Sequence, residues 1–419
     1  MFDITRVNQF LFRQAAAATA TPAAPGGAVS PANPGLPLTP VNPQPVVTWR
    51  VTRSCNLNCL SCPSDSRPRR YAAELATREG MELIGGLATL PIRRLVFAGG
   101  EPLLREDLPE LVAYARKCGI QPALLTNGTL LSPALAAELK LAGLHSASIL
   151  LEGIGRQVDR HRGAPGVFNA VMEGYANCQR AGLAAEIRTP LNRWNYSQLD
   201  GILDLMDDRR IRRVVFAHLV YTGRGNNPQD DLTPEQKRRA LDLIIERAED
   251  WQRRGREIAI ATDDNHVDAI YFFLRYARNH PQHAATAYRL IQACGADVQG
   301  AGVGLAGIDA AGDVHPDPYW SNCVLGNVRE KTFAEIWNEP SDPLLRGLRD
   351  RLPLLKGKCA NCRWKQACGG NLRVRAEEFF GDPWMSDPAC YLTNNEIHKE
   401  VTERAGVMED DVLLSEQAA

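Results

Sequence analysis

Three cysteines carry the first chemical signal in this chain. Cys55, Cys59 and Cys62 stand in a C-x3-C-x2-C pattern. They follow an apolar run (Val46, Val47, Trp49, Val51) whose alternation predicts a strand. Three thiolates can hold three corners of a four-iron cluster, because such clusters are ligated by cysteine. No fourth ligand stands nearby, so one iron would stay open to a small molecule. A C-x2-C pair alone points more often to zinc or thiol redox chemistry. A third cysteine directly behind a strand favours the cluster. A second set, Cys359, Cys362, Cys368 and Cys390, reads C-x2-C-x5-C…C. Four thiolates either saturate a cluster, leaving it to electron transfer or structure, or hold a tetrahedral zinc ion. Spacing alone leaves those two readings open.

A reactive loop needs rigid elements to hold it. From Pro45 onward the pattern alternates between strand and helix. Strands are expected at 46–52, 93–98, 121–126, 146–151, 184–189 and 212–219. Helices are expected at 71–88, 106–118, 133–142, 166–181 and 196–209. Glu106 and Asp107 open one of these helices and Gly119 closes it, which is sound helix punctuation. Repeats of this kind imply an α/β fold with a parallel sheet and right-handed crossovers. A doubly wound sheet and a partial barrel both fit. In a barrel the site forms at the C-terminal ends of the strands, where the cysteine loop falls.

Composition narrows the function classes. The chain has 419 residues, enough for two core-bearing domains, and a formal net charge of −1. That charge gives no sign of a nucleic-acid partner. No apolar run is long enough for a membrane span. The N-terminus lacks an uninterrupted apolar stretch behind a basic start, so no signal peptide is expected. Eleven cysteines with metal-like spacing read as ligands of an intracellular, cytoplasmic chain. Residues 1–13 are expected as a short amphipathic helix, and 14–45, rich in Ala, Pro and Gly, as a linker. The expected division is 1–45 as helix and linker, 46–255 as the barrel and 256–300 as a helical connection. A C-terminal domain follows at 301–398, with a tail at 399–419.

Several other residues invite a chemical reading. Ala98-Gly99-Gly100-Glu101-Pro102 ends the second strand, where glycines let backbone approach a ligand closely. His218 lies at a predicted strand end. A lone histidine is usually a satisfied core residue, but this one could meet a substrate or ligate iron. Thr262 to Asp268 packs three acids and His266 into seven residues, the pattern of a capped helix start or of a polar pocket wall. The helix over 233–254 reads as a solvated face above an apolar stripe. Cys118 and Cys178 fall in helical patterns and read as buried thiols.

Together these motifs resemble the radical S-adenosylmethionine (SAM) superfamily, over about residues 46–395. The resemblance selects a partial (β/α)6 barrel. It implies that Cys55, Cys59 and Cys62 bind a [4Fe-4S] cluster whose open iron chelates SAM, which is split to a 5′-deoxyadenosyl radical. It implies a SAM-binding role for Gly99, Gly100, Glu101 and Pro102, which match the family's G-G-E-P. Thr126-Asn127-Gly128-Thr129 matches its S/T-N-G-T. Glu152, in Leu150-Leu151-Glu152-Gly153, keeps the carboxylate that meets the SAM ribose, although the family usually has S-L-D-G. Arg188 is a candidate partner of the SAM carboxylate, with a plain surface arginine as the alternative.

The second cysteine set resembles the SPASM/twitch extension of that superfamily. Gly307 to Pro316 reads as its hairpin, and a helix follows around Phe333–Trp337. Under the resemblance the four thiols hold a second [4Fe-4S] cluster. A full extension has another auxiliary cluster, whose cysteine positions here hold Asp317 and Leu372. That site is expected to be absent, with Cys294 and Cys323 as non-ligands.

Within the superfamily the chain looks most like the tetrapyrrole-modifying branch, near the haem d1 biosynthesis enzymes of the NirJ type. His218 to Gly225, Asp264 to Asp268, and Gly312 to Asp317 carry that likeness. It implies 12,18-didecarboxysirohaem or a close iron tetrapyrrole as substrate, attacked at a propionate. Arg160, Arg162 and Arg224 are candidate carboxylate partners, and His218, His266 or His315 candidate iron ligands. An external one-electron donor of the flavodoxin or ferredoxin type is implied. The alternatives are a didecarboxysirohaem deacetylase, a haem synthase of the alternative pathway, a peptide maturase and, outside radical chemistry, a zinc-stabilised binding protein.

Overall fold

The computed structural model describes residues 1–19, 44–225, 227–294, 300–338 and 342–398. Most of the expected linker and the expected tail lie outside the described residues. The strands are β1 (Phe2–Asp3), β2 (Val46–Thr52), β3 (Arg94–Gly99), β4 (Pro122–Thr126), β5 (Ser146–Leu150) and β6 (Ala184–Leu191). They continue as β7 (Arg213–His218), β8 (Ala259–Asp263), β9 (Leu305–Ile308), β10 (Asp313–His315) and β11 (Gly326–Asn327). All eleven share one sheet, in the order β1-β8-β7-β6-β5-β4-β3-β2-β9-β10-β11.

β2 to β8 lie side by side in chain order, each parallel to its neighbour. A doubly wound sheet reverses its order at a switch point. This sheet never reverses, so it is wound one way, as a partial barrel. β8 lies within the stretch expected as a helical connection and adds a seventh parallel strand. Its sequence, Ala-Ile-Ala-Thr-Asp, is short, and its two alanines and closing aspartate are residue types depleted in strands.

Both ends of the parallel set are covered. β1 pairs antiparallel with β8, and Ile4–Thr19 follows as a helix with Ile4, Val7 and Leu11 buried. The expected N-terminal helix is thus present, and a strand before it caps the barrel edge. At the other end β9 pairs parallel with β2, so the C-terminal hairpin β9–β10 prolongs the barrel sheet. The parallel strands thus have no open edge, and the sheet ends in two strands of only two residues, β1 and β11, which offer little for another chain to pair with.

Strand alternation sorts the two faces of the sheet. Val47, Trp49, Val51, Phe97, Ile149, Ile187, Val214, Phe216 and Ile260 are buried under the helices. The concave face carries the residues between them. Arg50 pairs with Ala98, Leu150 with Arg188, Arg188 with Val215, and Ala217 with Asp263. The interior is therefore lined by charge and small side chains at the C-terminal strand ends. The helix Pro234–Arg253 buries Leu241, Ile244, Ile245 and Trp251, as its stripe predicts. Its Arg238 reaches the C-terminal domain, bonding the Tyr391 carbonyl and Glu396. Among the described residues no helix is long and apolar enough to cross a membrane.

Candidate active site

The loop after β2 brings Cys55, Cys59 and Cys62 together, each thiol within the electrostatic reach of another. Backbone and side-chain donors shape it. Leu57 N–H points to Cys55 Sγ at 3.4 Å and Ser66 N–H to Cys62 Sγ at 3.4 Å. Hydrogen bonds to sulfur tune the potential of a cluster. Burial pushes the Cys59 thiol up to about 12 and raises Cys55 as well. Both thiols hold their protons unless a metal replaces them.

The strand ends hold this loop. Gly100 N–H bonds Thr52 O and Glu101 N–H bonds Ser54 O, both at 2.8 Å. A Cβ at Gly100 would lie 2.1 Å from Ser54 O, and Gly99 has φ +144 with Thr52 O in the way. Only glycine lets β3 run this close to the loop. Glu101 is fully buried, and its carboxylate accepts from Thr126 Oγ1 (2.7 Å), Asn127 N (2.8 Å) and Leu103 N (3.1 Å). The acid thus ties β3 to β4, and any SAM contact here comes from backbone. Asn127 likewise turns to the loop, donating to Asn56 Oδ1 at 2.9 Å.

Glu152 and Arg162 form a buried pair at 2.6 Å beside Cys59. Arg162 also donates to Leu150 O, so it positions β5 and the cluster loop and is not free for a substrate. Arg224 is engaged too: it donates to Cys59 O (3.2 Å), Ser66 O (2.8 Å) and Asp65 (2.7 Å). It clamps the loop from β7's side. Arg160 alone of the three is exposed. Arg188 is no surface residue: it pairs with Asp263 at 2.8 Å and Asp264 at 2.7 Å. Burial works against its charge, yet the two acids hold its guanidinium well above the ordinary value.

Each candidate histidine is held by at least one ring nitrogen. His218 Nε2 meets Asp268 at 2.9 Å, and its ring stacks on Tyr391. It is a satisfied core residue at the seam between barrel and C-terminal domain. His266 stands at the start of the helix Val267–Asn279, so the helix start is where expected but its N-cap makes no side-chain capping bond; its backbone N–H bonds Asn371 and its Nδ1 bonds Cys368 O at 3.0 Å. His315 Nδ1 bonds Cys323 O at 2.6 Å. His218 is committed on its Nε2, whereas Nε2 of His266 and of His315 has no hydrogen-bond partner among the described residues, and a carbonyl on Nδ1 is the usual arrangement behind an Nε2 ligand.

Cys359, Cys362, Cys368 and Cys390 also face one another. Among the described residues no three His, Cys, Asp or Glu side chains converge on a point fit for one metal ion. Asp387 and Arg375, both with fully buried side chains, pair at 2.8 Å just before Cys390. Arg375 then reaches Leu219 O (2.7 Å) and Asp264 O (3.0 Å), joining this domain to the ends of β7 and β8. At the two positions where a further auxiliary cluster would need cysteine, Asp317 and Leu372 are both buried. Leu372 packs with Trp320, Leu348 and Val374 in a separate apolar cluster. Cys323 borders that cluster; the side chain of Cys294 is outside the described ones.

Sequence reasoning passed over Arg50, Arg375, Asp317 and the Asp263–Arg188–Asp264 triad as structural groups. An arginine on an alternating strand is a visible oddity at Arg50; the others gain meaning only from partners far away in the chain.

Known proteins agree with this geometry. A profile described as the Radical SAM superfamily matches residues 49–206, and one described as an iron–sulfur cluster-binding domain, SPASM, matches 301–363. The chain is 41% identical to an Fe-coproporphyrin III synthase of Methanosarcina barkeri, covering 84% of this chain and 89% of that protein. It is 40% identical to a pre-heme d1 synthase of Dinoroseobacter shibae, covering 84% and 87%. Among solved structures, Streptococcus suis SuiB bound to S-adenosylmethionine superposes with TM-score 0.64 at 17% identity, covering 84% of this chain and 78% of that one. That last likeness concerns the fold alone.

Proposed function

The chain belongs to the radical SAM superfamily, an iron–sulfur, SAM-dependent enzyme class, and carries a SPASM domain; from that premise we propose that it modifies propionate side chains of an iron tetrapyrrole. The expected substrate is 12,18-didecarboxysirohaem, in the making of haem d1. What carries the reading is the near-equal likeness to two tetrapyrrole synthases, which runs through barrel and extension alike.

The roles of the residues follow from their surroundings. Cys55, Cys59 and Cys62 hold the [4Fe-4S] cluster that SAM completes. Bound together, cluster and SAM supply hydrogen-abstracting one-electron chemistry. The backbone of Gly99 and Gly100 lines the SAM side of the loop, and Pro102 starts the short helix that turns away from it. Glu152 keeps one carboxylate oxygen beyond its bond to Arg162 and can meet the ribose. Asn127 and Glu101 hold the loop in place. Cys359, Cys362, Cys368 and Cys390 hold one auxiliary [4Fe-4S] cluster, for two clusters in all. An external one-electron donor of the flavodoxin or ferredoxin type supplies the electrons.

The test is anaerobic incubation with SAM, reductant and 12,18-didecarboxysirohaem, read by mass spectrometry. The expected result is 5′-deoxyadenosine together with a mass change confined to the propionates. Deoxyadenosine with an unchanged tetrapyrrole would defeat the proposal. Loss of acetate groups instead would favour the deacetylase alternative, which the likeness to the Fe-coproporphyrin III synthase keeps in play.

A further inference from the structure

Arg50 is a half-buried cation with no ion-pair partner among the described residues. It sits on the concave face of β2, opposite small Ala98 on β3. Among the described residues its one hydrogen bond goes to the Pro318 carbonyl. Among the described residues no carboxylate comes within ion-pair range of it. Asp309, Asp317 and Cys62 stand around it at longer range. The contrast is with Arg188 on the same face, which two acids neutralise. Yet Arg50 is only half-buried by its surface, so its guanidinium borders the interior space of the barrel.

An arginine in that state lacks what buried charges ordinarily have. A guanidinium drawn partly out of water is favoured when an anion is brought against it. The extension holds the group in place. Gly307 on β9 has no side chain, and a Cβ there would lie 2.8 Å from Asp317 O, so Asp317 and Pro318 lie close over the hairpin. Pro318 O then fixes one edge of the guanidinium, and its remaining N–H groups have no hydrogen-bond partner among the described residues. A planar fork of N–H donors suits a carboxylate.

We propose that Arg50 is the carboxylate anchor of the substrate cavity, binding a side-chain carboxylate of the substrate beside the Cys62 end of the cluster loop. The choice of substrate rests on the tetrapyrrole reading above. SAM also carries a carboxylate, and the experiment separates the two sources.

The test titrates reconstituted full-length protein anaerobically with iron coproporphyrin III and with its tetramethyl ester, following the absorbance of the porphyrin. SAM binding is measured in parallel. Wild type is expected to bind the acid at least about tenfold more tightly than the ester, the scale of one charge-assisted pair. Arg50→Met is expected to erase that preference, Arg50→Lys to keep part of it, and both to bind SAM as wild type does. Unchanged cluster absorption certifies the folding of each variant, and the wild-type comparison stands if a variant fails to fold. Equal binding of acid and ester by wild type would overturn the anchor while leaving the tetrapyrrole reading intact. So would a preference that survives in Arg50→Met, or a loss of SAM affinity with the preference retained. Wild type that binds neither porphyrin would remove the tetrapyrrole reading, and the anchor with it.

Discussion

Glu101 gathers three donors on one carboxylate with no access to water. Burial raises its pKa, and those three bonds work against the rise. Removing it strands Thr126 Oγ1 and two backbone N–H groups, and a stranded buried donor is expensive. Glu101→Ala is expected to lower stability by about 3 kcal/mol, with Glu101→Gln milder; thermal unfolding of the two variants reads this directly. Asp317 is the opposite case. Its Oδ2 has no hydrogen-bond partner, and burial pushes its carboxyl up to about 7, with Asp264 adding to the rise and Arg50 and Arg351 opposing it. The folded chain therefore keeps a proton that the unfolded chain gives up near pH 4. The stability linked to that proton is fully present below about pH 4 and is lost as pH rises through about 7. Asp317→Asn has no proton to lose, so its stability relative to wild type should improve as pH rises from 5 to 8, by up to about 3 kcal/mol. Melting curves at the two ends of that range check the sign; a constant difference would mean that Asp317 is ionised throughout.

At the scale of elements, the cluster loop is held less by its own sequence than by the strand end pressed against it. β3 supplies two glycines and a buried acid, and the turn after β7 supplies Arg224. Gly100→Ala puts a methyl group within 2.1 Å of a backbone oxygen that cannot swing aside. The loop must move, while the C-terminal cysteines lie on other elements. The expected outcome is a protein that loses about half of its iron after reconstitution, one cluster of two, and no longer cleaves SAM. Iron analysis with an activity assay decides it; full iron and normal cleavage would show that the close approach is dispensable.

Over the whole molecule, barrel and extension are one continuous structure. β9 extends the sheet beyond β2, and the buried Arg375–Asp387 pair binds the cysteine-bearing turn to the ends of β7 and β8. Removing one partner of such a pair leaves the other charged and buried, at a cost of about 3–5 kcal/mol. Asp387→Ala is expected to loosen the extension before the barrel melts, seen as a second, earlier transition in calorimetry. A single transition at the wild-type temperature would contradict the coupling. The same continuity puts Pro318, a residue of the extension, against Arg50 inside the barrel.

The cysteine spacings, the G-G-E-P and T-N-G-T turns and the period-two strands were legible in the chain because each is a local pattern, complete within a few residues. So were the strand-helix alternation and the hairpin after Gly307. What the chain alone left undecided depends on register between strands distant in sequence. A parallel sheet wound in one direction was distinguished from a doubly wound one only by its strand order. β8 gained strand status from its neighbour β7, against a weak local propensity. The charged residues changed most. Arg188, Arg162 and Arg224, candidate ligand contacts by sequence, face Asp263, Glu152 and Asp65, while Arg50 has no ion-pair partner among the described residues. Whether a charge is spent or free depends on what lies across the fold from it, and a linear sequence does not state that distance.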